Sequence, residues 1–538
     1  MRPAELWRRP GVRFTLFGSV LHAGAWALGF GRPPELGMSW LWWLSLGALA
    51  WMAAARLSPQ TARSTWIGVA ALFGLDIGTQ AMLLGYFGSA PQPGVIAESL
   101  AHTSLAETAG FLGEQWRAIA RALLLTLAAT AAAWRWAVPP ATQGRAARRA
   151  LWALLGLSVL LHFNPTMRRG QPLLRWVVVY SRHLIAQREI AQLDQARAAL
   201  WQRHADWQVQ RLDGAPRTAV LVIGESGTRL NWGLLGYPRD TTAPLAQAMA
   251  RLPGEFVVFG QAWSAQAFTL PSLRTALTPA TDEHRDDWLQ GPDVVLLAKA
   301  AGYHVTWLSN QPVAEGWFAS MARSADRSVF INKGNWRDSS ATDHDLLPAL
   351  EPLLAGAVPE RELLVVHLLG QHFHFEQRCP AELKRWAPQA PDDAVTQSLR
   401  AAGRSASIIA ARNAYDDAVF CGADVLARLM TRLHQQRPGR TLELLYFSDH
   451  GQEVGHGADF AGHSETTAAG YAIPVVWWSR DGALPAGQRP AALAERPFRL
   501  DWADHAVQHL LGIRSALYRP ELDLLGPDYA PPGPTRPT

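Results

Sequence analysis

The chain has 538 residues, 49% of them hydrophobic, with 50 Lys and Arg against 45 Asp and Glu for a net charge of +5. This length exceeds that of one domain, and so mild a charge, scattered in short arginine runs, excludes a nucleic-acid-binding stripe. Two cysteines, Cys379 and Cys421, are too few for a disulfide framework or a paired-cysteine metal site, and the sequence leaves open whether they pair with each other.

Apolar residues dominate the first third, in five stretches at 14–30, 38–56, 66–88, 118–137 and 150–163. A membrane span needs roughly 20 apolar residues; the second to fourth stretches reach that and the first and fifth are shorter. Arginines separate by side. With a cytoplasmic N-terminus, the inner segments hold Arg2, Arg8, Arg9 and Arg13, then Arg56 and Arg63, then Arg135, Arg145, Arg148 and Arg149. The outer loops hold Arg32, Arg117 and Arg121, an asymmetry that follows the positive-inside rule. No small-residue cleavage site precedes the second apolar run, so the first reads as an uncleaved span. An α-helical transmembrane domain of five helices over 1–165 then places the rest of the chain beyond the membrane.

Asp76 lies inside the third stretch with Gln80 one turn along. An ionisable group at that depth is either functional or an interhelical hydrogen-bonding group. The outer loop at 90–117 becomes amphipathic from Val95 to Trp116, a pattern that suits a membrane surface. Residues 166–215 interleave arginine and glutamine with apolar residues at helical spacing, which predicts one or two amphipathic connector helices.

From 216 to 538 the pattern is α/β. Short apolar runs at 218–224, 256–260, 304–309, 362–370, 442–448 and 473–479 alternate with helical stretches. They predict a largely parallel central sheet covered on both faces, whose chemistry collects beyond the strands' carboxyl ends. Metal-type ligands stand there: Glu225 after the first run, His372 and His374 after the fourth, Asp449 and His450 after the fifth, with His456 and His463 in the following loop. Glu225, Asp449 and His450 form an oxygen, oxygen, nitrogen set suited to zinc, and the hydroxyl of Thr269 could complete four-coordination.

Thr269 opens TLPSLRTALT. Pro271 is at home in a first helical turn, so the threonine stands at a helix N-terminus, where an anion is favoured. A cation beside that hydroxyl would lower its pKa and make it a nucleophile toward phosphorus. His372 and His463 are candidates to bind the phosphate, hold a second metal or act as general acid. His367, inside a strand, reads as a core histidine; His374 and His456 could be ligands or solvated loop residues.

TLPSLRTALT resembles the sulfatase signature, with Thr269 at the nucleophile position and Leu273 where the sulfatase arginine would stand. GES followed by LLGYPRDTTAPL, then HLLGQH, YDDAVF and LLYFSDHGQEVG, are similar to the phosphoethanolamine transferases of the alkaline phosphatase superfamily, above all the branch that modifies lipopolysaccharide core sugars. The resemblance implies a bacterial inner-membrane enzyme of five spans with a periplasmic, zinc-dependent α/β domain of alkaline-phosphatase type. It would move phosphoethanolamine from phosphatidylethanolamine to lipid A, core heptose or another envelope glycan. By the same resemblance Glu225, Thr269, Asp449 and His450 bind zinc, Thr269 is the nucleophile, His372 and His463 are substrate-side histidines, and Asn310, with Gln311 beside it, contacts the headgroup. The chain departs from the lipid A-modifying members in having only Cys379 and Cys421 and in lacking a lysine shortly after Asn310. Phosphoglycerol transfer or hydrolysis on the same scaffold are the competing enzyme readings, and a catalytically silent membrane partner is the non-enzyme reading.

Overall fold

The computed structural model of the protein describes residues 10–31, 33–54, 56–87, 105–136, 144–312, 317–332, 341–388, 391–481 and 489–532. Arg2, Arg8, Arg9 and Arg32, and the outer loop up to residue 104, lie outside them. The chain divides into two compact units, residues 1–187 and residues 188–332 with 339–538.

The first unit is helical: α1 (Pro10–Ala27), α2 (Pro33–Ala54, with one π-helical turn at Trp43–Gly47), α3 (Pro59–Phe87), α4 (Leu105–Trp136) and α5 (Arg145–Phe163). Each of the five apolar stretches is helical over most of its length. Among the described residues one helix, Pro33–Ala54, is long and apolar enough to cross a membrane by length and composition. Aromatic side chains fill the interior: the Phe14 ring stacks on Trp43 and Trp51 at centroid distances of 4.8 and 5.0 Å. The indole N–H of Trp66 donates to the Ala133 carbonyl (2.8 Å) and that of Trp42 to the Met167 carbonyl (2.8 Å), so these two buried rings keep their donors paired.

Asp76 is buried, accepts from Gln80 Nε2 at 2.6 Å, and lies 3.6 Å from Arg175 Nη1. Arg175 belongs to α6 (Pro172–Gln202), the helix of the expected connector, and the boundary between the two units falls within it. A short preceding helix, Pro165–Arg169, is capped by Asn164, whose side chain accepts from the Thr166 and Met167 amides.

The second unit is built on a seven-stranded sheet. Its strands are β1 (Arg217–Gly224), β2 (Glu255–Phe259), β3 (His304–Ser309), β4 (Arg327–Phe330), β5 (Arg361–His367), β6 (Thr441–Ser448) and β7 (Val475–Ser479), in the order β2-β7-β6-β1-β5-β3-β4. β7 runs antiparallel to both β2 and β6, so the expected largely parallel sheet is mixed; the other pairs are parallel. All six predicted strands are present and β4 adds an edge. The fourth ends at His367 rather than 370, because the chain turns at Gly370 (φ +52). The sixth starts after Pro474, which has no N–H for the ladder.

Side chains alternate between two cores. Ala219, Leu221 and Ile223 face one with Val365 and Phe447, while Val220 and Val222 face the other with Leu364, Val366 and Tyr446. Burial on both faces explains why the strands read as continuous apolar runs. Helix α7 (Thr269–Ala276) follows β2, and the long α8 (Ala406–Gln436) precedes β6.

Cys379 and Cys421 are joined by a disulfide with Cα atoms 5.5 Å apart, which fastens the loop after β5 to α8. The bond closes a loop with a sequence separation of 42, for which chain entropy gives a stabilisation of about 4 kcal/mol. Replacing Cys379 and Cys421 together by serine should therefore lower the melting temperature of the second unit, and a reductant should lower that of the unsubstituted protein but not of the variant. Equal melting curves with and without reductant would show that the bond contributes nothing.

Candidate active site

Parallel pairing of β1 with β6 sets Gly224 opposite Ser448. The residues that follow, Glu225 on one strand and Asp449-His450 on the other, therefore leave the sheet side by side. All three are buried, and one ligand atom from each lies within 4.8 Å of the others.

Ser226 is what allows so tight a turn. It is a non-glycine residue at φ +56, a conformation that needs support. Its amide donates to Asp449 Oδ1 (2.9 Å), its hydroxyl to Glu225 Oε1 (2.7 Å), and its carbonyl accepts from the Tyr415 hydroxyl (2.7 Å). Tyr415 in turn accepts the Thr228 amide (2.8 Å), so one phenol on α8 holds both sides of the turn. On the other side Gly370 comes so close that a Cβ there would stand 2.5 Å from the Glu225 carbonyl oxygen; only glycine fits.

Thr269 is the first helical residue of α7, with the extended Phe268 as its N-cap, as the Pro271 spacing predicts. Its Oγ1 lies 3.3 Å from each Glu225 carboxylate oxygen and 3.2 Å from His450 Nε2. Ser272, one turn on, donates its hydroxyl to the Asp449 carbonyl at 2.5 Å and ties the helix to the ligand loop. Leu273 is fully buried in the core, so at this position the chain has packing in place of a charge; the neighbouring Arg274 stacks on Trp288 at 4.4 Å.

The electrostatics of the cluster fit a cation. Burial and the adjacent Glu225 charge push Asp449 up to about 7. Burial alone would also raise Glu225, but its contact with His450 overrides that and leaves the carboxylate well below its ordinary value. Burial opposes charge on His450, yet Asp449 and Glu225 raise it to about 9. The protein thus borrows protons to balance two buried carboxylates, a role a divalent ion would fill.

Two further features fit a metal. Asp449 Oδ2 is buried without a hydrogen-bond partner, a costly state that coordination would relieve. His450 Nδ1 bonds the Gly451 carbonyl at 2.7 Å and so carries the proton, which leaves Nε2, the nitrogen facing Glu225 and Thr269, as the ligand atom. Among the described residues this is the one cluster of at least three His, Cys, Asp or Glu placed to hold an ion.

The other candidates form an outer ring. His463 lies over His450 (centroids 4.7 Å) and His372 over His463 (6.3 Å). Burial lowers both, His463 to about 4 with help from the positive His450, so both are neutral imidazoles at neutral pH. Gln311 Nε2 reaches Glu225 Oε2 at 3.3 Å, while Asn310 is fully buried and gives its amide to Asp343 Oδ1 (2.8 Å). His367 is buried edge-on to Trp307. His456 pairs with Asn231 Oδ1 (2.7 Å), which bonds the buried Asp416, and His374 faces Glu376 at 3.4 Å; neither joins the ligand cluster.

A sulfatase family model matches residues 217–513. The chain belongs to the sulfatase family. This sulfatase-family chain is 28% identical over 322 residues to phosphoethanolamine transferase EptC of Escherichia coli O18:K1:H7, which covers 58% of this chain and 54% of that protein. It is also 28% identical over 323 residues to phosphoethanolamine transferase CptA of Salmonella typhimurium, covering 59% and 54%. The chain spans about half the length of the curated relatives it matches. Among solved structures, the C-terminal periplasmic domain of EptC from Escherichia coli in complex with Zn matches with a TM-score of 0.55 and 27% identity, over 60% of this chain and 90% of that one. The sulfatase-family unit therefore has an alkaline-phosphatase-like α/β fold with a mixed central sheet.

Two outcomes follow. A divalent ion entering this cluster would have to displace protons from His450, raised to about 9, and Asp449, raised to about 7, so its affinity should fall as the pH falls through that range and its binding should release protons. Calorimetry of the metal-stripped protein in buffers of different ionisation enthalpy measures this; a heat independent of buffer would contradict it. Tyr415→Phe should leave the Ser226 carbonyl and the Thr228 amide unsatisfied, costing about 1–3 kcal/mol. It should also weaken zinc binding by roughly tenfold, whereas unchanged affinity would mean that the turn holds its shape without the phenol.

Proposed function

We propose that the protein is a zinc-dependent phosphoethanolamine transferase of the inner membrane. In this reading residues 1–165 are its transmembrane domain, 166–215 the connector and 216–538 the periplasmic catalytic domain. Phosphatidylethanolamine is the donor, and the acceptor is a hydroxyl of an envelope glycan, lipopolysaccharide core or lipid A. The observation that carries the proposal is the position of Thr269 Oγ1, at hydrogen-bond range of both Glu225 oxygens and of His450 Nε2 at the start of a helix. The relatives named above support the choice of phosphoethanolamine, and the EptC–Zn structure supports the metal.

Zinc, held by Glu225, Thr269, Asp449 and His450, would act as a Lewis acid and lower the pKa of the threonine hydroxyl. Thr269 Oγ1 then attacks the phosphorus of the donor phosphodiester. The bond from phosphorus to the diacylglycerol oxygen breaks, and that oxygen takes a proton as diacylglycerol leaves. Free amides at the N-terminus of α7 meet the charge that develops on the phosphoryl oxygens. In the second half an acceptor hydroxyl attacks phospho-Thr269, the phosphorus–Thr269 bond breaks, and the threonine is restored.

His372 is suited to the proton transfers. Its Nδ1 bonds the Phe373 carbonyl at 2.7 Å, which fixes the proton there and leaves Nε2 as the basic nitrogen. In the first half Nε2 would take the proton that the Thr269 hydroxyl gives up and pass it to the leaving diacylglycerol oxygen; in the second it would take the acceptor hydroxyl's proton and return it to Thr269. His463, neutral and edge-on to His450, would bind the phosphate. Gln311 joins the headgroup side through Glu225, and Asn310 supports it from below through Asp343.

Peptide mass spectrometry of the detergent-purified chain, incubated with phosphatidylethanolamine and zinc, tests this. A phosphoethanolamine adduct on Thr269 is expected, absent in Thr269→Ala and Glu225→Ala. Diacylglycerol released without transfer to a glycan would indicate hydrolysis, and an adduct formed only from phosphatidylglycerol would indicate phosphoglycerol transfer; either would displace the reading.

A further inference from the structure

Glu225 is held from two sides. Tyr415 supports the turn that follows it, and on the other side stands the turn 368–371 that leaves β5. The Leu368 amide donates to the Ile223 carbonyl (2.9 Å), and the Gln371 amide to the Glu225 carbonyl (2.9 Å). Between them lies Gly370, where a Cβ would also stand 2.8 Å from the Glu225 amide nitrogen. Packing this close passes any displacement of the turn on to Glu225.

One carboxylate holds the turn in place. Asp343, 7% exposed, accepts the Leu369 amide (2.9 Å) and the Asn310 side-chain amide (2.8 Å) on Oδ1, and the Gly370 amide (2.8 Å) on Oδ2. Asn310 is itself anchored: its backbone amide donates to the His367 carbonyl (2.9 Å), and its carbonyl accepts from Asn332 Nδ2 (3.0 Å). Gln311 Nε2 closes the ring, reaching the Leu368 carbonyl (2.7 Å) as well as Glu225. Asp343 opens a short 3₁₀ turn, Asp343–Asp345, fixed by a capping box between Thr342 and Asp345. It belongs to none of the sequence motifs named above. Its charge also acts on Arg378, which donates to the His372 carbonyl.

We propose that Asp343 is a positioning residue of the metal site, holding the 368–371 turn against Glu225 so that this ligand stands in place before an ion arrives. Three donors converge on Asp343, and two acceptor oxygens are needed to meet them all. An asparagine has the same shape but a single acceptor. With that oxygen on Leu369 and Asn310, its NH2 group faces the Gly370 amide, donor against donor. The part of the turn that relaxes is then the part that touches Glu225. The inference rests on the metal reading and not on the phosphoryl chemistry.

The test is calorimetric titration of the metal-stripped full chain, in detergent, with zinc, beside melting curves of the metal-free protein. Asp343→Asn should weaken zinc binding by about tenfold. Asp523→Asn is the control for a merely structural loss. Asp523 is also fully buried and accepts the Leu525 amide (3.1 Å) and the Tyr518 hydroxyl (2.6 Å), and it pairs with His509 Nδ1 (2.7 Å). It stands at the opposite end of β1, where Arg217 donates to the Leu510 carbonyl. That variant should melt earlier yet bind zinc as the unsubstituted chain does. Asn310→Ala removes one donor and leaves both backbone amides on Asp343; it should weaken zinc binding by a smaller factor, and it decides the matter if Asp343→Asn does not fold. Unchanged zinc affinity in the variant that decides, or an equal loss in Asp523→Asn, would overturn the proposal. An unsubstituted chain that takes up no zinc would overturn it together with the metal reading. Zinc bound as expected, with no phosphoethanolamine adduct in the mass experiment, would leave it standing and count against the transferase reading alone.

Discussion

Two carboxylates buried side by side are the constraint around which the second unit is arranged. Glu225 and Asp449 are 1% and 0% exposed and share one imidazole between them. Like charges so placed repel, and each alone would shed its charge on burial. They coexist because the Ser226 and His450 amides donate to Asp449 Oδ1 at 2.9 and 2.7 Å and because His450 answers the rest. Adjacency of β1 and β6 in parallel, the left-handed turn at Ser226 and the glycine at 370 all serve that arrangement. A sheet in which these two strands were not neighbours could not form it.

Helix α8 is the second organiser. Tyr415 supports the Ser226 turn, Asp416 pairs with Arg239 (2.6 Å) and Asn231, and Asp417 accepts the Arg385, Trp386 and Ala387 amides. Cys421, one turn later, bonds the loop that leads back to His372, and Arg378 in that loop donates to the His372 carbonyl at 3.1 Å. Successive residues on a helix point about 100° apart, so this short segment reaches three directions at once and fixes both the metal turn and the histidine loop.

Much of the site was legible because its signals are local. A carboxylate or an Asp-His-Gly directly after an apolar run marks a strand's carboxyl end, and a threonine two residues before a proline marks a helix start. These patterns brought Glu225, Thr269, Asp449 and His450 together without knowledge of strand order. What stayed hidden is non-local. An apolar run buried on both faces carries no record of its direction, so the reversal of β7 could not be read. Arg175 as the partner of Asp76 is 99 residues away along the chain and lies on a helix of mixed polarity. Tyr415 and Ser226 looked like ordinary motif residues; their tie depends on a left-handed backbone that nothing in a serine announces. Asn310 and Gln311 are adjacent, and only the backbone decides that the second reaches Glu225 while the first turns to Asp343.

The residues of the cluster come from distant parts of the second unit: the Ser226–Asp449 bond spans 223 residues, and the Tyr415 tie spans 189. Contacts of such separation form late in folding, because the loop they close must be ordered first. No fragment that lacks either β1 or β6 can present the cluster, however well it folds locally. A metal held by this cluster would therefore report that both strands are in place, and through mass action it would favour the folded state over every partly folded one.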